Sequence, residues 1–139
     1  NTTVMPVLVK GIVTGEDASL CEAYGADGLV VSNHGARAAA SGRSTIECLP
    51  EVAEAVGGRL PIIIDSGFRR GTDIFKALAL GATAVGIGRP YLWGLASFGQ
   101  AGVEAVLELL RRELEMVMRQ AGTTSLDQIS PAHIVDRSL

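Results

Sequence analysis

The stretch 61–90 reads PIIIDSGFRRGTDIFKALALGATAVGIGRP, and its order of residue types sets the fold class. Pro61–Asp65 (PIIID) is short, β-branched and continuously apolar rather than alternating. Such strands are buried on both faces, as in a parallel sheet covered by helices. Thr72–Leu80 follows with helical spacing: Thr72 is a candidate cap, Asp73 puts an acid in the first turn, and Gly81 stops the helix. A second apolar run, Ala84–Gly88 (AVGIG), completes a βαβ unit and ends in Arg89-Pro90.

The same grammar extends outward. Pro6–Lys10 (PVLVK) and Gly28–Ser32 (GLVVS) read as two more strands. Helices are predicted over Glu16–Tyr24 and Ile46–Val56, the second capped by Ser44 or Thr45. A helix end, Gly-Ala and a strand occur in that order at 24–27 and again at 80–83, a weak internal repeat. Residues 102–121 carry Val103, Val106, Leu107, Leu110, Leu114, Val117 and Met118 on one stripe, with the charges mostly off it on a solvated face. Residues 123–139 read as a polar tail that Pro131 interrupts, and the final Arg-Ser-Leu does not match the Ser-Lys-Leu peroxisomal address. Consecutive βα units with right-handed crossovers give an open doubly wound sheet or part of a (β/α)8 barrel, and periodicity leaves both open.

Composition narrows the function classes. The chain has 139 residues, 47% of them hydrophobic, and 12 basic against 15 acidic residues for a net charge of −3, which suits one domain with a core. A weakly acidic chain without a basic run is a poor candidate for nucleic-acid binding. No apolar run approaches the ~20 residues that span a bilayer, and the first residues, NTTVMPVLVK, lack a signal-peptide pattern. Cys21 and Cys48 match neither a metal spacing nor a disulfide framework; they read as small buried apolar residues of a reducing, cytoplasmic compartment. The lack of an initiator Met suggests that more sequence precedes Asn1.

The chemistry gathers at the strand exits. These are Lys10-Gly11, Ser32-Asn33-His34-Gly35-Ala36-Arg37, Asp65-Ser66-Gly67-Phe68-Arg69-Arg70-Gly71 and Gly88-Arg89-Pro90. Polar residues at the carboxyl ends of successive parallel strands are expected to share one mouth, where barrel enzymes keep their active sites. Lys10 offers a fixed cation to an anionic ligand, beyond the plainer role of a structural ion-pair partner. A lone histidine is usually just a satisfied polar group, but His34 has Arg37 three residues on. An imidazole accepts a hydroxyl proton while a guanidinium forks onto a carboxylate, which suits a substrate with both groups. Asp65 either caps the following turn, holds a polar ligand or orients a neighbour. The Gly67–Gly71 turn with Arg69 and Arg70 reads as a phosphate cradle of backbone amides and a cation, and Gly86-x-Gly88-Arg89 as a second. His133 reads as structural, and Tyr91, Trp93 and Phe98 as packing residues; no metal site is expected.

Assembled, these residues resemble the FMN-dependent 2-hydroxy acid oxidase/dehydrogenase family, which includes glycolate oxidase, lactate oxidase, mandelate dehydrogenase and the flavin domain of flavocytochrome b2. The matching stretches are VLVKGIVTGEDA, ADGLVVSNHGAR, LPEVAEAVGGRLPIIIDSGFRRGTDIFKALALGA and VGIGRPYLWGLA. The SNHG-x-R and RRGTD-x-x-KALALGA segments are the specific ones.

The resemblance implies a single domain over 1–139, the C-terminal half (strands five to eight) of a TIM-type (β/α)8 barrel. It implies FMN as cofactor, a small L-2-hydroxy acid as substrate, and a homo-oligomer in the full-length protein. By position, Lys10 is similar to the lysine beside flavin N1 and the C2 carbonyl, and Ser32 to a ring contact. His34 is similar to the active-site base, Arg37 to the arginine that binds the substrate carboxylate, and Asp65 to the carboxylate that pairs with the histidine. Asp65, Ser66, Gly67, Arg69, Gly88 and Arg89 are similar to FMN contacts.

Ala36 and Ser66 stand where the commoner patterns are NHGGR and DGG, as in the lactate oxidase branch, and AAASGRSTIECLPE (38–51) replaces the usual stretch that shapes the local lid. A substrate tyrosine and a second substrate arginine of the family have no counterpart here. Half a barrel leaves two sheet edges open, so the piece alone is expected to self-associate. Two rival readings are a non-catalytic FMN- or phosphate-binding half-barrel, and a barrel like inosine monophosphate dehydrogenase, against which SNHG-x-R argues.

Overall fold

The structure, a computed structural model, describes residues 4–37 and 42–135. Expectations that rest on 1–3, 38–41 and 136–139 lie outside the described residues; these include the start of the substituted stretch after Arg37 and the Arg-Ser-Leu end. The elements are β1 Leu8–Ile12, α1 Gly15–Ala23, β2 Gly28–Val31, α2 Thr45–Val56, β3 Ile62–Ile64, α3 Gly71–Ala79, β4 Ala84–Val85 and α4 Arg89–Ala121. Two short 3-10 turns follow, Leu126–Gln128 and Pro131–His133. The four strands form one parallel sheet in the order β1-β2-β3-β4. This is the expected α/β alternation, and every boundary except the start of the last helix lies within a few residues of its predicted place.

The chain divides into two compact units, the first made of residues up to 67 together with 81–86, the second of 68–80 and 87 onward. In the first, the sheet packs against α1 and α2. Leu29, Val31, Ile62 and Ile64 of the central strands are buried, as are Cys48, Leu49, Val52 and Val56 of α2 and Ala18 of α1, the helices that pack on this sheet. Burying a Val, Leu or Ile side chain contributes about 1.5–3 kcal/mol, so this cluster dominates the stability of the unit.

In β2 and β3 one face is fully buried and Val30 and Ile63 on the other are half-buried, while the outer strands are more open. Leu8 and Lys10 of β1 and Ala84 of β4 are exposed, because neither strand has a described neighbour on its outer side. Gly11, at φ 103°, interrupts the β1–β2 register between Lys10 and Ile12, a bulge that suits glycine.

The internal repeat has a structural meaning. Asp27 and Thr83 each follow a Gly-Ala turn, and each closes a double hydrogen bond on the residue entering an earlier strand. The Asp27 amide donates to the Val7 carbonyl (2.9 Å), while the Val7 amide donates to Asp27 Oδ2 (2.7 Å). The Thr83 amide donates to the Ile62 carbonyl (2.7 Å), while the Ile62 amide donates to Thr83 Oγ1 (3.1 Å).

In the second unit α3 packs on α4. Phe75, Ala79 and Ile129 are buried there against Leu78, Leu114, Val117, Met118, Ala121 and Ile134. The predicted polar tail is therefore partly core: Ile129 and Ile134 seal the α3–α4 seam, and His133 sets its ring edge-on to Phe75, 5.9 Å between centroids. The helix predicted over 102–121 starts earlier, at Arg89, but its backbone breaks at Phe98 and Gly99 (φ 61°). Gly94 and Gly102, on either side of the break, approach so closely that a Cβ on either would overlap the other's backbone. Tyr91, Trp93 and Phe98, read as packing residues, are 38%, 52% and 78% exposed on the first segment.

Candidate active site

The first unit brings the exits of β1, β2 and β3 together around one ion pair. Lys10 Nζ lies 2.9 Å from Asp65 Oδ2 and donates to Ser32 Oγ at 2.6 Å. Ser66 Oγ donates to Asp65 Oδ1 at 2.7 Å and accepts from the Gly35 amide at 3.1 Å, while Ser32 Oγ accepts from the His34 amide at 3.1 Å. Burial pushes the Asp65 carboxyl up. Hydrogen bonds from Ser32, Lys10 and Ser66, with the Lys10 charge, outweigh it and hold the group below its ordinary value. Asp65 is therefore an anion already committed to Lys10, not a proton acceptor in waiting.

The resemblance implied an Asp65–His34 pair, and the geometry differs. Both Asp65 oxygens are engaged by Lys10 and Ser66, and the His34 ring makes no hydrogen bond among the described residues. The His34 imidazole is exposed and lies over Gly11, where an added Cβ would come within 3.1 Å of Cε1. Arg37 is exposed and forms no ion pair among the described residues. The exit of β2 thus presents an imidazole and a guanidinium free to meet a ligand, beside a cation fixed in place.

His34, Gly35 and Ala36 all have positive φ (57°, 71° and 63°), as do Ser66 (75°) and Gly67 (103°). Both departures from the commoner glycine pattern therefore sit in left-handed backbone, where a side chain adds strain. The Ala36 amide is held by Asn33 Oδ1 (2.9 Å), and Ser66 spends its hydroxyl on the bridge between Asp65 and Gly35.

Three contributors escaped the sequence reading. Gly11 makes room for the His34 ring, and an isolated glycine in a strand was the available signal. Asn33 is buried and pins the turn. Thr45, a cap candidate, is instead the first residue of α2 after Ser44. Its buried hydroxyl donates to the Asp65 carbonyl (2.6 Å) and lies 3.1 Å from that of Ser66.

The second unit holds Arg69, Gly88 and Arg89. The expected cradle of free amides after β3 does not form at Arg69–Gly71. Asp73 Oδ2 accepts from the Arg69 and Arg70 amides, each at 3.0 Å, and Glu113 Oε2 accepts from the Gly71 amide at 2.8 Å. Arg70, not Thr72, is the N-cap of α3, because Asp73 reaches back to the amides that precede it. Arg70 also pairs with Glu113 (2.9 Å), whereas Arg69 and Arg89 form no ion pair among the described residues. The start of α4 at Gly88-Arg89-Pro90 has no acid in its first turn and no side-chain cap, unlike α1 and α3. Two uncommitted guanidiniums and an uncapped helix start suit a phosphate dianion.

The fold is of the α/β class, a parallel sheet with alternating helices, and cationic side chains and an imidazole stand at its strand exits. Residues 1–136 match the sequence profile of the FMN-dependent dehydrogenases, and the chain belongs to that family. It is 53% identical to glycolate oxidase 2 of Oryza sativa subsp. indica over 136 residues, 98% of this chain and 37% of that protein. Among solved structures, flavocytochrome b2 superposes with a TM-score of 0.91 at 41% identity, covering 98% of this chain and 36% of that one. A mandelate oxidase carrying a monooxide FMN adduct superposes with a TM-score of 0.86 at 46% identity, covering 90% and 40%. The chain thus spans well under half the length of these relatives, and its four βα units correspond to part of their fold.

Proposed function

We propose that this chain serves the FMN-dependent oxidation of a small L-2-hydroxy acid, of the lactate, glycolate or mandelate kind, to its 2-oxo acid, as strands five to eight of a TIM-type barrel over residues 1–139. The observation that carries the reading is the division of labour at the β1–β3 exits. Asp65 is spent on Lys10, while His34 and Arg37 are left without protein partners among the described residues.

In this reading Arg37 forks onto the substrate carboxylate and His34 takes the proton of the hydroxyl. Asp65 and Ser32 hold the Lys10 ammonium as a fixed charge, the kind of preorganised electrostatics that favours developing negative charge. In the second unit Arg69, Gly88 and Arg89 are the residues that would hold the FMN phosphate; in the first, Ser32, Asp65, Ser66 and Gly67 are those that the family resemblance gives to the remainder of the cofactor. FMN, when bound, supplies the two-electron acceptor. The residues fit that group because the second unit keeps two guanidiniums uncommitted.

The full-length protein, with FMN, is mixed anaerobically with lactate, glycolate and mandelate while the flavin absorbance is followed. Bleaching by one of them is expected; if none bleaches the flavin, the catalytic reading is wrong. A second reading, a non-catalytic FMN- or phosphate-binding module, rests on Arg69, Gly88 and Arg89 all lying in one compact unit. Tight FMN binding without bleaching selects it.

The reading extends to a cytoplasmic, homo-oligomeric protein. Two free cysteines support the first, and among the described residues no helix is long and apolar enough to cross a membrane. The second rests on the family resemblance, and the exposed outer strands bear on self-association of this piece alone. A monomer throughout a sedimentation series would rule the oligomer out.

A further inference from the structure

We propose that Trp93 is a positioning residue for Arg69, holding its guanidinium ready for the FMN phosphate; this rests on the reading of Arg69 as a phosphate contact. The guanidinium carbon of Arg69 lies 5.5 Å from the centroid of the Trp93 ring. Both residues belong to the second unit.

The need for such a support follows from the loop itself. The amides of Arg69, Arg70 and Gly71 are taken by Asp73 and Glu113, so at this turn an anion has to be met by a side chain. Arg70 is not available, being paired with Glu113. Of the two arginines of this turn Arg69 is left, and a long side chain in solvent loses much rotamer freedom on binding.

An aromatic face removes that problem without neutralising the charge, because a guanidinium stacked on an indole keeps its N–H edge free. A carboxylate partner would instead compete with the phosphate. The exposure of Trp93, 52%, is otherwise costly for a large aromatic ring, and its neighbours on α4 do not cover it. Trp93 is also the chain's single tryptophan.

The test compares FMN with riboflavin, which lacks the phosphate, by titrating the full-length apoprotein with each at fixed ionic strength and following flavin fluorescence. Wild type is expected to prefer FMN, and Arg69→Ala to lower the FMN/riboflavin affinity ratio on the order of tenfold. Trp93→Leu is expected to lower the ratio about two- to fivefold with riboflavin affinity unchanged, the share of a half-exposed cation–π contact. Trp93→Phe keeps a smaller face and is expected to fall between wild type and Trp93→Leu.

If wild type shows no preference, or Arg69→Ala leaves the ratio intact, the phosphate reading of Arg69 fails. If Arg69→Ala lowers the ratio and Trp93→Leu does not, or Trp93→Leu weakens both flavins equally, the positioning role is overturned. Should Trp93→Leu not fold, as judged by circular dichroism, Trp93→Phe is held to the same criteria.

Discussion

The two compact units build the same clamp with different tolerances. In the first, Glu51 of α2 accepts the Gly15 amide at the start of α1 (2.8 Å) and pairs with Arg43 (3.0 Å). In the second, Glu113 of α4 accepts the Gly71 amide at the start of α3 (2.8 Å) and pairs with Arg70 (2.9 Å). Each is a remote carboxylate at a helix N-terminus, where the macrodipole and the unpaired amides favour negative charge. Both carboxyls sit below their ordinary value, chiefly through the glycine amide and secondly through the arginine.

The difference lies in the space around the glycine. A Cβ on Gly15 would meet Glu51 and Ala55 at 3.2–3.3 Å, whereas one on Gly71 would overlap the backbone of Glu113 and Leu114. The Arg70-Gly71 clamp directly follows Arg69, so the tighter joint fixes the loop that presents a candidate ligand group. The looser joint, at the start of α1, adjoins no such residue and serves packing alone.

The largest effect to be expected is therefore from Gly71→Ala, which forces α3 and α4 apart and costs about 3 kcal/mol or more by urea denaturation. Gly15→Ala is expected to cost distinctly less, and equal losses would break the comparison. Next comes Glu113→Ala, which strands the Gly71 amide and the Arg70 charge for roughly 1–2 kcal/mol. Glu51→Ala, on a carboxylate much more open to solvent, is expected to lose less.

Acid sharpens the same contrast. Because both carboxyls titrate lower in the folded chain than unfolded, their contribution is whole above the ordinary carboxylate range of about 4 to 4.5 and is lost as pH falls through the depressed values. An acid titration of Glu113→Ala against wild type is expected to converge below that range; parallel curves would remove the clamp from the account. The smallest effect concerns the exit loop of the first unit. Ala36→Gly relieves a left-handed alanine and is expected to gain up to about 1 kcal/mol, whereas Ser66→Gly gives up the Asp65–Gly35 bridge and is not expected to gain. Equal gains for both would mean that the Ser66 bridge contributes nothing.

Much of this was legible in the chain. Apolar runs, Gly-Ala stops and capping acids act within a few residues, so PIIID, GLVVS and KALALGA set strand and helix positions locally. Of the two caps that the sequence offers the second helix, Ser44 is the one used, with Glu47 accepting the Ser44 amide at 2.7 Å. The early start of α4 was hidden because YLWGLASF contains Gly94 and is followed by Gly99, and only packing of Gly94 on Gly102 turns such breakers into a joint.

Sequence by itself determined the parallel α/β alternation and which residues stand at the strand exits, because side-chain periodicity and backbone preference are short-ranged. Only tertiary structure decided how charges were allotted. It gave Asp65 to Lys10 rather than to His34, closed the Gly71 amide with Glu113, and left Arg69 on Trp93. Those choices depend on groups far apart in the chain, such as Glu51 and Gly15 at 36 residues or Glu113 and Gly71 at 42. An exposed or half-buried charge takes whichever partner the packed backbone brings within reach.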